Sequence, residues 1–182
     1  MQTQTSYEVR FDWGLEGLRS IADGAGVIVV VDVLSPDHER WAADASGYGV
    51  PVVAADLRNF SAVARWVLAH QQRLGRRANV AVIASGERRA DGTMRLAVED
   101  QLAAGAVIGA FAALGIDACS PEAAVAAASF DALRRAVGHL LTASVSAREL
   151  AEVGRLEDVR IAAQLDVSDT VPVMRDGVFR PE

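Results

Sequence analysis

Between Val27 and Val31 five apolar residues follow one another, four of them valine, and the run leads straight into Asp32. β-Branched residues in an unbroken apolar run, without period-2 alternation, specify a strand buried on both faces. Strands of that kind belong to largely parallel sheets with helices over both faces. Such sheets take their ligands outside the carboxyl ends of the strands, and Asp32 stands at that end. An unpaired buried carboxylate is costly, so Asp32 must meet a cation, N–H donors or water. Two readings are open for it: the cap of the turn leaving the strand, or the central acid of a site.

The remaining chain fits the same architecture. Residues 7–12 alternate weakly and read as a first strand, for which an edge position is open. Residues 15–22 have helical spacing, stopped by Asp23-Gly24. Residues 36–49 are polar and glycine-dotted, with at most one helical turn, and 50–54 read as a short strand. A helix is expected over 57–74, with Ala62, Val63, Trp66, Val67 and Leu74 on one side. Residues 79–84 form a second buried strand, and 85–95 a polar loop. The helix over 99–114 is apolar on nearly every face and hence interior. Ser120 and Pro121 open another helix as N-cap and first-turn proline, running to about Leu141. Two short helices (146–153 and 156–165) precede a hairpin around Asp176-Gly177. Strands alternating with helices predict a layered α/β domain, its largely parallel sheet flanked by helices. No repeat or linker interrupts residues 1–182, so one domain is expected.

The net charge of −6 argues against a general nucleic-acid or membrane-surface binder, both of which need clustered positive charge. A small anionic ligand stays open, because a few arginines or a metal can invert the field locally. The most membrane-like segment, residues 102–116, is shorter than the roughly 20 residues a span needs. Cys119 is the only cysteine, which excludes an internal disulfide and fits a cytoplasmic protein. The first residues carry neither the basic nor the apolar stretch of a signal peptide. Alanine-rich helices leave a homo-oligomer possible.

Chemistry concentrates after the second buried strand, where Glu87, Arg88, Arg89 and Arg95 precede Glu99 and Asp100. Acids there suit a metal, and guanidinium forks suit phosphate or sulfonate oxygens. The alternative is a solvated loop whose Glu99 and Asp100 complement the positive end of the next helix. Arg58 and Asn59 at a helix start form either an anion seat or a plain cap with a surface arginine. Asp166 and Asp169 either ligate a hard cation or shape a turn before the hairpin. His38, His70 and His139 lie at no metal-ligand spacing and read as structural or exposed. There is no dinucleotide glycine motif, Walker loop, nucleophile elbow or Cys-x-x-Cys. The Asp-x-Asp of haloacid-dehalogenase phosphatases is also missing, since Leu34 stands two after Asp32.

In succession, Val9 to Gly14, Val30 to Leu34, Asp56 to Ala64, Ser85 to Arg88 with Asp91-Gly92, Val98 to Ala106, Ser120 to Ala123 and Leu165 to Pro172 resemble the 2-phosphosulfolactate phosphatase family of coenzyme M biosynthesis. The chain departs from that family after Leu34. An anion-binding helix start and a Pro-Asn-Gly loop are missing, as by an internal deletion. The resemblance implies a magnesium-dependent hydrolase that turns 2-phospho-3-sulfolactate into 3-sulfolactate and phosphate. It implies Asp32, Glu99 and Asp100 as metal ligands, with Glu87 and Arg88 catalytic. Arg58, Asn59 and Arg88 would bind a small anionic phosphoester. The shortened segment leaves a second reading, a catalytically silent homologue that keeps the fold to bind a ligand or partner.

Overall fold

Strand β2 (Val27–Val31) sends successive side chains into two different cores. Val27, Val29 and Val31 join a large cluster on one face of the sheet, while Ile28 and Val30 join a smaller one on the other. Strand β4 (Val80–Ala84) divides in the same way, Val80, Val82 and Ala84 to one side and Ala81 and Ile83 to the other. Both strands are fully buried, as alternation across a two-sided sheet requires. The computed structural model describes residues 4–34, 41 and 44–182.

Strands β1 (Val9–Trp13) and β3 (Val52–Ala55) complete a parallel set with β2 and β4, in the order β1-β4-β2-β3. The hairpin β7 (Pro172–Arg175) and β8 (Val178–Pro181) extends it antiparallel beside β3, turning at Asp176 and Gly177, both with positive φ. Register brings the carboxyl ends level: Trp13 pairs with Ala84, Ala84 with Val31, and Val31 with Ala55. Gly14, Ser85, Asp32 and Asp56 therefore leave the sheet along one edge.

Helix α1 (Gly14–Ile21) covers the smaller core together with Trp41. The larger core is covered by α2 (Phe60–Leu74), α3 (Val98–Ala113), α4 (Pro121–Leu133), α5 (Val137–Ala143), α6 (Val145–Glu152) and α7 (Leu156–Ala162). Helices α3 and α4 approach so closely that a Cβ on Gly105 would stand 2.2 Å from the Ala126 carbonyl oxygen. Arg10, buried in β1, donates to four carbonyls, among them Ile21 at 2.9 Å and Asp23 at 2.7 Å past the end of α1.

The layered α/β fold expected from the sequence is present, with three corrections. The expected helix from Ser120 to about Leu141 is interrupted by a tighter turn at Arg134–Ala136 before α5. The expected loop 85–95 contains a two-stranded ribbon, β5 (Glu87–Arg88) and β6 (Met94–Arg95). Helix α2 starts at Phe60, because Asp56 to Asn59 form a hydrogen-bonded turn ahead of it. The expectation for residues 36–49 falls partly on residues outside those described, as does His38; within it a turn spans Ser46–Tyr48.

Candidate active site

The level carboxyl ends of β2 and β4 put two segments side by side: Asp32-Val33 and Ser85-Gly86. The last bond between these strands runs from the Ser85 amide to the Val31 carbonyl at 2.8 Å. Beyond it the Val33 and Gly86 amides donate to Asp100, to Oδ1 at 3.0 Å and Oδ2 at 2.9 Å. Gly86 adopts φ +63°, and a Cβ there would meet the Arg95 carbonyl oxygen at 2.9 Å, so only glycine fits without displacement.

Asp100 and its neighbour Glu99 lie in the first turn of α3, and both are buried. Burial pushes the Asp100 carboxyl well above the usual carboxylate range. The nearby charges of Asp32 and Glu99 push it the same way, against the two amide bonds that favour the ionised form. Glu99 differs sharply: it is 1% exposed, and neither carboxylate oxygen has a hydrogen-bond partner. Native structures rarely leave a buried acid so. Asp32 is half-buried at the tip of β2. Asp32 and Glu99 thus each lie within electrostatic reach of Asp100 where β2, β4 and α3 meet, and a divalent cation held by two of these acids would relieve both the burial and the like charge. Among the described residues, no three His, Cys, Asp or Glu side chains are grouped to hold a metal ion by themselves.

Glu87 and Arg88 open the ribbon one residue after Gly86. They border a hollow of about 360 Å³ whose walls include Trp13, Gly14, Arg19 and Met94. The lining does not include the three acids, so the hollow lies beside their cluster, above β1 and β4. Arg19 in this wall is paired with Glu16 at 2.6 Å. Arg88 is exposed and takes no ion pair among the described residues, which leaves its donors available to an anion.

On the other side of β2, the tip of β3 carries Asp56, Arg58 and Asn59. Asp56 Oδ1 accepts the Arg58 and Asn59 amides at 2.7 and 3.1 Å, and burial raises its pKa above the ordinary carboxylate value. Asn59, expected to bind substrate, has its amide engaged in the fold instead: Oδ1 accepts the Asp56 amide, and Nδ2 donates to the Ala54 and Thr170 carbonyls. Arg58 is half-buried, and its Nε has no hydrogen-bond partner. Sequence reasoning did not single out Asp56 or Gly86. The signals were the three-residue spacing of Asp56 and Asn59, and a glycine two residues past the end of a buried strand.

Asp166 and Asp169 serve the fold. Asp166 Oδ1 accepts the Ser61 amide at 3.2 Å, and Asp169 pairs with Arg65 at 2.8 Å on the surface. Among the described residues no helix is long and apolar enough to cross a membrane.

No curated protein matches the sequence. The family model described as 2-phosphosulpholactate phosphatase matches residues 40–177 of the 182, from ahead of β3 to the terminal hairpin. Residues 1–39, with β1, α1 and the strand leading to Asp32, lie outside the match. With well over half of the chain matched, and with acids and arginines gathered along one edge of an α/β sheet, this protein belongs to the 2-phosphosulpholactate phosphatase family.

Proposed function

We propose that the chain is a magnesium-dependent phosphoric monoester hydrolase acting on 2-phospho-3-sulfolactate or a similar small phosphorylated hydroxy-acid. One observation carries the metal half of this reading: the Glu99 carboxylate is buried with both oxygens unpaired. A hard cation with oxygen ligands suits such a group, and magnesium commonly takes only one or two carboxylates, completing its shell with water and substrate phosphate. That habit accommodates a site without three grouped protein ligands. Glu99 and Asp32 would hold the ion. When bound, it supplies Lewis-acid polarisation of a phosphoryl oxygen and lowers the pKa of water.

The chain's own residues then divide the work. Arg88 beside the hollow and Arg58 at the tip of β3 offset charge on the phosphoryl and acid oxygens, for which guanidinium forks are suited. Glu87 orients the attacking water and accepts its proton. Hydrolysis consumes one water and breaks the ester P–O bond. The alcohol oxygen leaves with a proton, and phosphate remains.

A second reading, a silent homologue that binds without turnover, draws support from the hollow, whose walls leave out Asp32, Glu99 and Asp100. Phosphate release from 2-phosphosulfolactate and from an aryl phosphate, with magnesium and with a chelator, separates the two. Release that requires magnesium is the expected result. No release from either ester, together with a magnesium-dependent rise in melting temperature, would replace the enzyme with the binding protein.

A further inference from the structure

Where β2 and β4 part, the Val33 and Gly86 amides lie one step beyond the last ladder bond, that of Ser85 to Val31. One side chain takes both: Val33 N–H donates to Asp100 Oδ1 at 3.0 Å and Gly86 N–H to Oδ2 at 2.9 Å. Asp100 is 3% exposed and comes from the helix that follows β4, so it enters between the two tips from the α3 side. A Cβ on Gly86 would stand 2.9 Å from the Arg95 carbonyl oxygen, so β6 packs closely against this turn. The residue between ladder and clamp on β2 is Asp32, and the residue directly after the clamp on β4 is Glu87. Glu99, one position away on the same helix turn, has both oxygens without partners. The two neighbouring acids are thus differently committed.

We infer that Asp100 is a positioning residue: its carboxylate clamps the tips of β2 and β4 at one spacing and so sets where Asp32 stands relative to Glu87 and Arg88, leaving ion binding to Glu99 and Asp32. The functional half of this inference rests on the phosphatase reading; the clamp itself does not. Reacting groups carried on separate strands depend on such spacing, since misplacement by about 1 Å can lower a rate by about a hundredfold.

The test is Asp100→Asn in the full chain. Asparagine keeps the shape and one acceptor but sets an N–H₂ group against the other backbone donor. The readouts are kcat, KM, the half-saturating magnesium concentration, and hydrogen exchange of the Val33 and Gly86 amides by NMR. One of the two amides should lose protection and kcat should fall by about a hundredfold. KM and half-saturating magnesium should stay in place. A raised magnesium requirement with kcat recovered at saturation would instead make Asp100 a ligand. A lower melting temperature with unchanged kcat would reduce it to a structural residue, and either result overturns the inference. Should the variant not fold, the native protein decides: both amides must exchange as slowly as those of the β2 ladder, and rapid exchange at either removes the clamp. If the native protein releases no phosphate, the phosphatase reading and the positioning role fail together, while exchange still decides the clamp.

Discussion

Asp166 accepts the Ser61 amide on Oδ1 at 3.2 Å, although 105 residues separate the two. Asp166 holds φ at +54° to do so, and its own amide donates to the Leu57 carbonyl at 2.9 Å. The Ser168 amide donates to the Arg58 carbonyl at 2.8 Å, so the segment before the terminal hairpin caps α2 and fixes the turn that carries Arg58. Asp166→Ala should destabilise the protein by about 2 kcal/mol, combining a lost cap with alanine's poorer tolerance of the left-handed region. Asp166→Asn, which tolerates that conformation and keeps an acceptor, should lose much less. Urea titration of both variants checks the order, and equal losses would refute it.

Asp32→Asn should lower magnesium-dependent phosphate release by at least about a hundredfold, the scale on which removing one electrostatic stabiliser acts. The melting temperature should hold, because Asp32 is only half-buried. Turnover at the native rate would take Asp32 out of the mechanism.

Glu99→Gln separates stability from metal binding. The native side chain is buried with both oxygens unpaired, next to Asp100. Removing the charge should leave the metal-free protein at least as stable as the native one. The same variant should lose the stabilisation that magnesium confers, about 2.7 kcal/mol at a hundred times the dissociation constant. Calorimetry with and without magnesium measures both. A native protein indifferent to magnesium would remove Glu99 as a ligand.

Gly105→Ala should push α3 away from α4, since the added carbon would stand 2.2 Å from the Ala126 carbonyl oxygen and 2.8 Å from the Phe130 Cβ. Backbone cannot yield as a flexible side chain does, and overpacking of this kind costs about 1–3 kcal/mol. Gly109→Ala is the control, with open space at the same helix. There the higher helix propensity of alanine should be neutral or stabilising.

His70 stacks on Trp66 with ring centroids 5.4 Å apart. Burial lowers its pKa, and the charges of Arg73 and Arg76 lower it further. The unfolded chain therefore takes up a proton at a higher pH than the folded one. The contribution of His70 to stability is complete above the ordinary imidazole value of about 6.5 and is lost as pH falls through the lowered folded value. His70→Phe keeps the stack and should flatten that acid-side loss. Proton NMR of the imidazole gives the folded midpoint, and a value at or above the ordinary one would contradict the sign.

The layered architecture was legible because burial on both faces dictates residue type along a whole strand, as in β2 and β4. Caps made within a few residues were legible too, as with Ser120, whose hydroxyl accepts the Ala123 amide. Asn59 shows the limit. Its position before a helix was readable, but its side chain pairs with Thr170, 111 residues away, a partner that no local pattern reveals. The ribbon at Glu87 and Arg88 was also hidden, because two-residue strands carry no periodicity to detect.

By itself the sequence determined that Val27 to Val31 lie inside a sheet with Asp32 at its carboxyl end, since apolar residues without alternation have no solvent face to offer. Only the tertiary structure decided what the acids of α3 do. Asp100 reaches Val33 across 67 residues while Glu99 beside it reaches no donor. Adjacent residues on one helix turn point in different directions, and which one finds a partner depends on how the helix is seated on strands that local pattern does not place.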